Sequence, residues 1–416
     1  MASGFGLALR NLARNRRRTA ISLSIVAAGT VGLLLTAGFI QFSFAGLEDA
    51  LIHGGLGHLE VVAKAAADER SATLERSLAH GLVDWPAIQA DIESLPGVAA
   101  AAPNVHLMGM ASKPDGATVS FIGLGVDPER ERRMGFTTKL RAGADLAAGE
   151  PAPGQDQVLV ALGLAESLGV APGDVVTLLA MTSDQTLNAL DVRVAGLVTT
   201  GIQDLDTRYL KLHFRSAQRL LATERVNDLI VGLDDNDDLA TAQAALEARF
   251  ASREDAPLAV VPWRDRAPFY DQVRNLYRGI FWFLGSVIFV LVVLATSNTL
   301  VMTVMERVRE IGTLRAIGTS RGQVARMIVA EALWLGVLGA LVGNLLGLGL
   351  IVLINGLGLQ MPPPPGAVNP IDLKLAVVPA ALVGSVVLMT AVLALASVFP
   401  VLKAVRLKVV EALTHV

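Results

Sequence analysis

The sequence predicts an α-helical membrane protein with four transmembrane helices and a large α+β extracytoplasmic domain inserted between the first and the second. Three observations carry that expectation. Four uncharged runs, Thr19 to Leu47, Gly279 to Met305, Ala332 to Ile371 and Leu375 to Leu402, exceed the roughly 20 helical residues that a hydrocarbon core of about 30 Å demands. The 416 residues are 52% hydrophobic and only 18% charged, with a mean hydropathy of +0.52, whereas ordinary soluble domains are about 25% charged. Between the first two runs, residues 46–278 hold 33 Asp and Glu against 21 Lys and Arg, a polar insert large enough to fold around its own core.

Taken in order, residues 1–18 read as an amphipathic helix along the inner leaflet: Phe5, Leu9, Leu12 and Ala13 recur at helical spacing, and the segment carries five Arg and no acid. The apolar run beyond it is longer than the 7–15 residues of a signal-peptide core, so residues 19–45 are assigned as an uncleaved first span. In the insert, strands are expected at His58–Val62, Thr118–Val126, Gln157–Val160, Val175–Leu179, Val192–Thr199 and Leu229–Leu233. Helices are expected at Trp85–Leu95, from Leu162 through Leu168, at Ser216–Ala222 and at Leu239–Phe250. That alternation suits a mixed domain with two or more small sheets.

Residues 279–305 form the second span, 306–325 a charged helix, 328–354 the third span, 355–374 a Pro-rich loop, 375–401 the fourth span and 402–416 a tail. Asn355-Gly356-Leu357-Gly358 and Pro362 to Pro365 end the third helix. The basic segments at 1–18, 307–326 and 403–408 are cytoplasmic by the positive-inside rule, which puts both termini inside and the acidic insert outside.

The segment from Glu306 to Gln323 is the only charge-dense one in the last third of the chain. Val308, Ile311, Leu314 and Ile317 recur every three residues, giving one apolar stripe. Arg307, Arg309, Glu310 and Arg315 occupy the rest of the circumference. Such a helix has something to grip; the plainer alternative is a basic loop that only sets topology.

Several chemistries are excluded. Cysteine is absent, which removes disulfides, thiolate metal sites and a cysteine nucleophile. None of the seven Lys residues follows a Gly, so no P-loop can form. Asp234 to Asp238 lacks the Gly and terminal Glu of a calcium loop and reads as a solvated turn. Within the spans, Thr296 to Thr299, Asn344, Ser385, Thr390 and Ser397 read as helix-contact polar groups, and Gly336, Gly339, Gly343 and Gly347 as a stripe admitting close helix approach.

These pieces together resemble a family. Arg309-Glu310-Ile311-Gly312-x-Leu314-Arg315-Ala316-x-Gly318 is similar to the coupling-helix motif of ABC transporter permeases of the MacB/LolC/LolE/FtsX type, the mechanotransmission or type VII class. Leu9-Arg10-Asn11-Leu12-x-Arg14-Asn15, Leu95-Pro96-Gly97-Val98, Leu168-Gly169-Val170-x-x-Gly173-Asp174 and Pro400-x-x-x-Ala404-x-Arg406-Leu407 agree with it. So does Gly57-His58-Leu59-Glu60-Val61, which looks closer to LolC and LolE.

The resemblance implies a MacB-like periplasmic core domain in the insert and a noncatalytic permease of the inner membrane. It implies a second permease copy, homo- or heteromeric, and two copies of a separate ABC ATPase that use ATP and Mg, with no cofactor or metal bound to this chain and no nucleic acid. ATP-driven motion would pass through Glu306, Arg307, Val308, Arg309, Glu310, Ile311, Leu314, Arg315, Ile317 and Gly318. The cargo it implies is a lipoprotein, lipid, peptide or other hydrophobic molecule, with a periplasmic adaptor or lipoprotein as partner. Phe39, Phe42, Phe44 and Phe269 are candidate acyl-chain contacts or an interfacial aromatic belt. The alternative is an FtsX-like regulator that activates a periplasmic partner such as a cell-wall hydrolase.

Overall fold

The computed structural model describes residues 16–68, 78–113, 116–136, 138–251, 253, 257–361 and 371–406. The amphipathic helix expected before Arg16, the run Pro362 to Pro365 and the tail beyond Arg406 lie outside them. Two compact units emerge among the described residues, one contributed by 16–45, 272–361 and 372–406, the other by residues between 46 and 271.

In the helical unit, α1 (Arg16–Leu51), α7 (Pro268–Glu306), α9 (Arg321–Gly356) and the pair α10 (Pro379–Ala396) and α11 (Val398–Arg406) supply four segments long and apolar enough to cross a membrane. Their ends depart from the limits of the apolar runs, because hydropathy marks the hydrocarbon while caps mark the helix. α7 starts at Pro268, eleven residues before the second apolar run. Its proline sits at the first turn, where the missing N–H costs nothing. α9 starts at Arg321 because Ser320 caps it: the Ser320 hydroxyl accepts from Gln323 N–H at 3.3 Å while Gln323 Oε1 accepts from Ser320 N–H at 2.8 Å. The fourth segment is not helical from 375; Leu375 N–H and carbonyl are both taken by the Asn355 side chain, at 2.8 and 3.0 Å, before Pro379 opens α10.

The glycine stripe of α9 does admit close neighbours, and two of them. A Cβ built on Gly336 would lie 2.8 Å from Thr390 Cα of α10, and one on Gly343 would lie 2.5 Å from Thr30 Cβ and 2.8 Å from the Ala27 carbonyl of α1. Gly339 and Gly347 meet Val26 and Leu34 of the same helix. Polar groups join α9 to α10: Asn344 donates to the Leu382 carbonyl at 3.0 Å and accepts from Ser385 at 2.8 Å, satisfying groups that lipid could not.

In the α+β domain the strands are β1 (Leu59–Ala63), β2 (Val98–Ser112), β3 (Thr118–Val126), β4 (Leu140–Gly143), β5 (Gln157–Ala161), β6 (Val175–Met181), β7 (Leu187–Val198), β8 (Tyr209–His213), β9 (Asp228–Leu233) and β10 (Leu258–Pro262). The expected small sheets are joined into one, in the order β10-β1-β9-β2-β3-β8-β5-β7-β4, with β6 pairing both β2 and β7. The 15-residue β2 makes the join: Val98 to Asn104 pair with β9, whereas Val105 to Ser112 pair with β3. Its alanine-rich first half carries little β propensity, which is why it escapes a sequence reading.

Helices α2 (Trp85–Glu93), α4 (Leu162–Leu168), α5 (Phe214–Leu221) and α6 (Leu239–Phe250) contribute Ile88, Ile92, Leu164, Leu220, Leu246 and Phe250 to a core shared with Leu59, Val61, Phe121, Leu210 and Leu229. The short α3 (Pro128–Arg133) is capped by Asp127, which accepts from the N–H groups of Glu129 and Arg130. The first strand of the domain and its last are neighbours, Leu59 opposite Pro262 through Ala63 opposite Leu258. The buried Glu60 carboxylate meets Arg266 at 3.2 Å beside this ladder.

Candidate functional site

The charged stretch does not form one helix over 306–325. Arg307 leaves helical geometry at φ −103° and ψ 12°, and α8 runs only over Val308–Ala316. Gly318 then turns at φ +105°, a left-handed conformation that a side chain disfavours. Thr319 N–H bonds back to the Leu314 carbonyl at 3.0 Å, and Ser320 begins α9. Arg321, expected within the charged helix, and Arg326, expected just beyond it, both belong to that next helix. Glu310 in the first turn of α8 and Arg315 in the last complement its dipole.

The apolar stripe is divided. Val308 and Ile311 are only 2% and 4% exposed; Ile311 packs with Val304, Val324, Ile328 and Ala404 of the same chain. Leu314 and Ile317 are 38% and 78% exposed. Arg309, Glu310 and Gly318 are exposed beside them, and Arg315 is half-buried. The face that α8 offers outward is therefore two aliphatic side chains among charges. It holds no nucleophile or acid–base pair and suits contact with another protein.

Arg307 belongs to the internal face. Its Nε donates to Glu310 Oε2 at 2.9 Å, and its Nη1 lies 3.6 Å from Glu331 Oε2 on α9. Glu306 sits exposed at the end of α7. Glu331 was not among the sequence candidates. Its signal was a single carboxylate at the edge of an apolar helix, where a charge needs a partner.

Phe39, Phe42 and Phe44 are half-buried on α1, and the Phe44 ring meets Tyr277 edge-on at 6.0 Å. Tyr277 in turn lies 6.1 Å from Phe281. Phe269 is 46% exposed at the start of α7. An apolar cavity of about 240 Å³ opens between α1, α7 and α10, and Ile40, Phe281, Ile288, Phe289 and Met389 help line it. Phe39, Phe42 and Phe44 do not. Among the described residues no three His, Cys, Asp or Glu side chains come together as a metal site.

Residues 282–409 match the FtsX-like permease C-terminal model, and residues 19–249, more than half of the chain, match the MacB-like periplasmic core domain. The chain belongs to the MacB/LolC/FtsX family of ABC permeases. The permease is 26% identical over 276 residues to the lipoprotein-releasing system transmembrane protein LolC of Neisseria meningitidis, covering 64% of either chain. It is 26% identical over 177 residues to the macrolide export ATP-binding/permease protein MacB of Hyphomonas neptunium, covering 42% of this chain and 26% of that one. The crystal structure of the periplasmic region of MacB from Actinobacillus actinomycetemcomitans aligns with 55% of the permease and 95% of that chain, at 13% identity and a TM-score of 0.38. Four apolar helices and this family make the permease an inner-membrane protein, with its α+β domain between the first and second of them.

Proposed function

We propose that the permease works with a separate ABC ATPase, two copies per permease dimer, which docks on the outward face of α8. Leu314 and Ile317 enter a groove on the ATPase, and Arg309, Glu310 and Arg315 set the register by charge. ATP and Mg are used on the partner. The split of the stripe carries this reading: a helix that set only topology would not leave Ile317 exposed beyond the end of an apolar segment. Of the residues placed in the same contact from sequence, Val308 is buried, and Ile311 and Arg307 instead fasten α8 to α7 and α9, so that a push on α8 is delivered to both. The basic segments put α8 and both termini in the cytoplasm and the α+β domain outside.

The work serves to extrude or release a hydrophobic cargo such as a lipoprotein, lipid or peptide. The cavity between α1, α7 and α10 is lined by aliphatic and aromatic side chains suited to an acyl chain. A regulatory, FtsX-like role would use the same docking face; the long match to a MacB-like external domain supports transport. The test is purification of the tagged full-length permease from its own host in mild detergent. Wild type should bring down ATPase subunits together with a lipoprotein, lipid or adaptor, and Ile317→Asp should lose the ATPase while folding normally. An Ile317→Asp chain that retains its ATPase and full hydrolysis would falsify the docking face. A hydrolase in place of cargo would establish the regulatory role.

A further inference from the structure

The part of the sheet built from β3, β2, β6 and β7 has one face in the core and one open. Leu107, Ala111, Leu178 and Ala180 are buried, so the alternate residues of β2 and β6 point the other way. Among these, Met108 is 44% exposed, Met110 48% and Met181 55%. The β2–β6 ladder pairs Gly109 with Ala180 and Met110 with Leu179, so position 108 falls opposite 181 and position 110 lies on its diagonal. Facing residues have Cβ atoms about 5 Å apart and diagonal ones about 7–8 Å. Unbranched thioether side chains with three rotatable bonds can close both gaps.

Three of the ten methionines in the chain thus share one open patch. Sheet positions of this kind otherwise favour β-branched and aromatic residues. Of the other side chains on this face, His106 has its Nε2 engaged by Asp228 at 2.9 Å, Thr177 donates to Asp191 at 2.6 Å, and Ser120, opposite Met110, offers a hard neutral hydroxyl. The soft donors on the patch are the three sulfurs. Thioethers select soft monovalent ions such as Cu(I) and are poor ligands for zinc, calcium or magnesium.

We propose that Met108, Met110 and Met181 form a three-thioether site for a soft monovalent cation, Cu(I) or Ag(I), on the open face of the α+β domain. A thioether has no proton to lose, so binding is independent of pH where a thiolate or imidazole site would weaken in acid. The site is independent of the ATPase reading, and its test needs no partner.

Full-length permease in detergent is titrated with silver nitrate in chloride-free buffer. Retained silver is counted by mass spectrometry after desalting, and methionine methyl groups are followed by 13C NMR. One Ag(I) per chain is expected, with equal affinity at pH 7.5 and 5.5 and three methyl resonances shifting together. Met108→Leu and Met181→Leu keep volume and apolarity and should weaken binding at least tenfold, while Met302→Leu should not. No silver retained by wild type, or equal retention by the Met108→Leu/Met110→Leu/Met181→Leu variant, overturns the proposal.

Discussion

Arg307 is shared between Glu310 and Glu331: its Nε donates to the first at 2.9 Å, and its Nη1 stands 3.6 Å from the second. One guanidinium thus ties the end of α7 and the first turn of α8 to α9. Both Arg307 and Glu331 are largely buried, their side chains 14% and 11% exposed. Removing one partner of such a pair strands the other charge and costs on the order of 3–5 kcal/mol, while replacing both with apolar residues is close to neutral. Thermal unfolding in detergent should show a lowered midpoint for Arg307→Ala and a recovery for Arg307→Met/Glu331→Met. A double variant no more stable than the single one would show that the pair is not the cause.

The two halves of the α8 stripe should behave oppositely in the isolated chain. Ile311→Ala opens a cavity beside Val304, Val324 and Ile328 and should cost about 2–4 kcal/mol. Ile317→Ala touches an exposed side chain and should change stability by no more than about 0.5 kcal/mol. Denaturation of both variants without any partner present measures this; comparable losses would contradict the burial assigned to Ile311.

Close helix approach at Gly343 can be tested by adding one methyl group. An alanine there would meet Thr30 and the backbone of Ala27, and overpacking of this kind costs about 1–3 kcal/mol. Gly349 has nothing within 4 Å of the same methyl, and Gly349→Ala should be neutral or gain up to about 1 kcal/mol from helix propensity. Melting curves should place Gly343→Ala below wild type and Gly349→Ala at or above it.

His58 makes the α+β domain sensitive to acid. Burial pushes its pKa below the ordinary 6.5, outweighing the side-chain bond to Asn236 that raises it; the nearby His53 lowers it further, and Glu48 raises it. Its Nδ1 accepts from Leu233 N–H at 3.1 Å, leaving Nε2 to meet Asn236 Oδ1 at 2.6 Å. Because the folded pKa lies below the unfolded one, the unfolded chain binds the extra proton first. This stability is present above pH 6.5 and is lost as pH falls through the folded value. The midpoint difference between wild type and His58→Gln should narrow between pH 7.5 and 5; a difference that stays constant would remove His58 as the sensor.

Much of this protein was legible because its signals are local. Thr118–Val126 and Leu239–Phe250 occur at the residues where alternation and helical spacing place them. β2, β8 and β10 were missed because a buried alanine run, a short strand holding Lys211 and a strand ending in Pro262 owe their state to neighbours distant in sequence.

Hydropathy, charge and spacing determined a four-helix membrane protein with an inserted α+β domain and a charged segment between the second and third apolar runs. They could not say which neighbour each apolar residue has. Only the packing of α7, α9 and α11 decided that Ile311 turns inward and Ile317 outward, and only strand register brought Met181 to Met108. Periodicity reports that a side chain shares a face; burial depends on what is folded against that face.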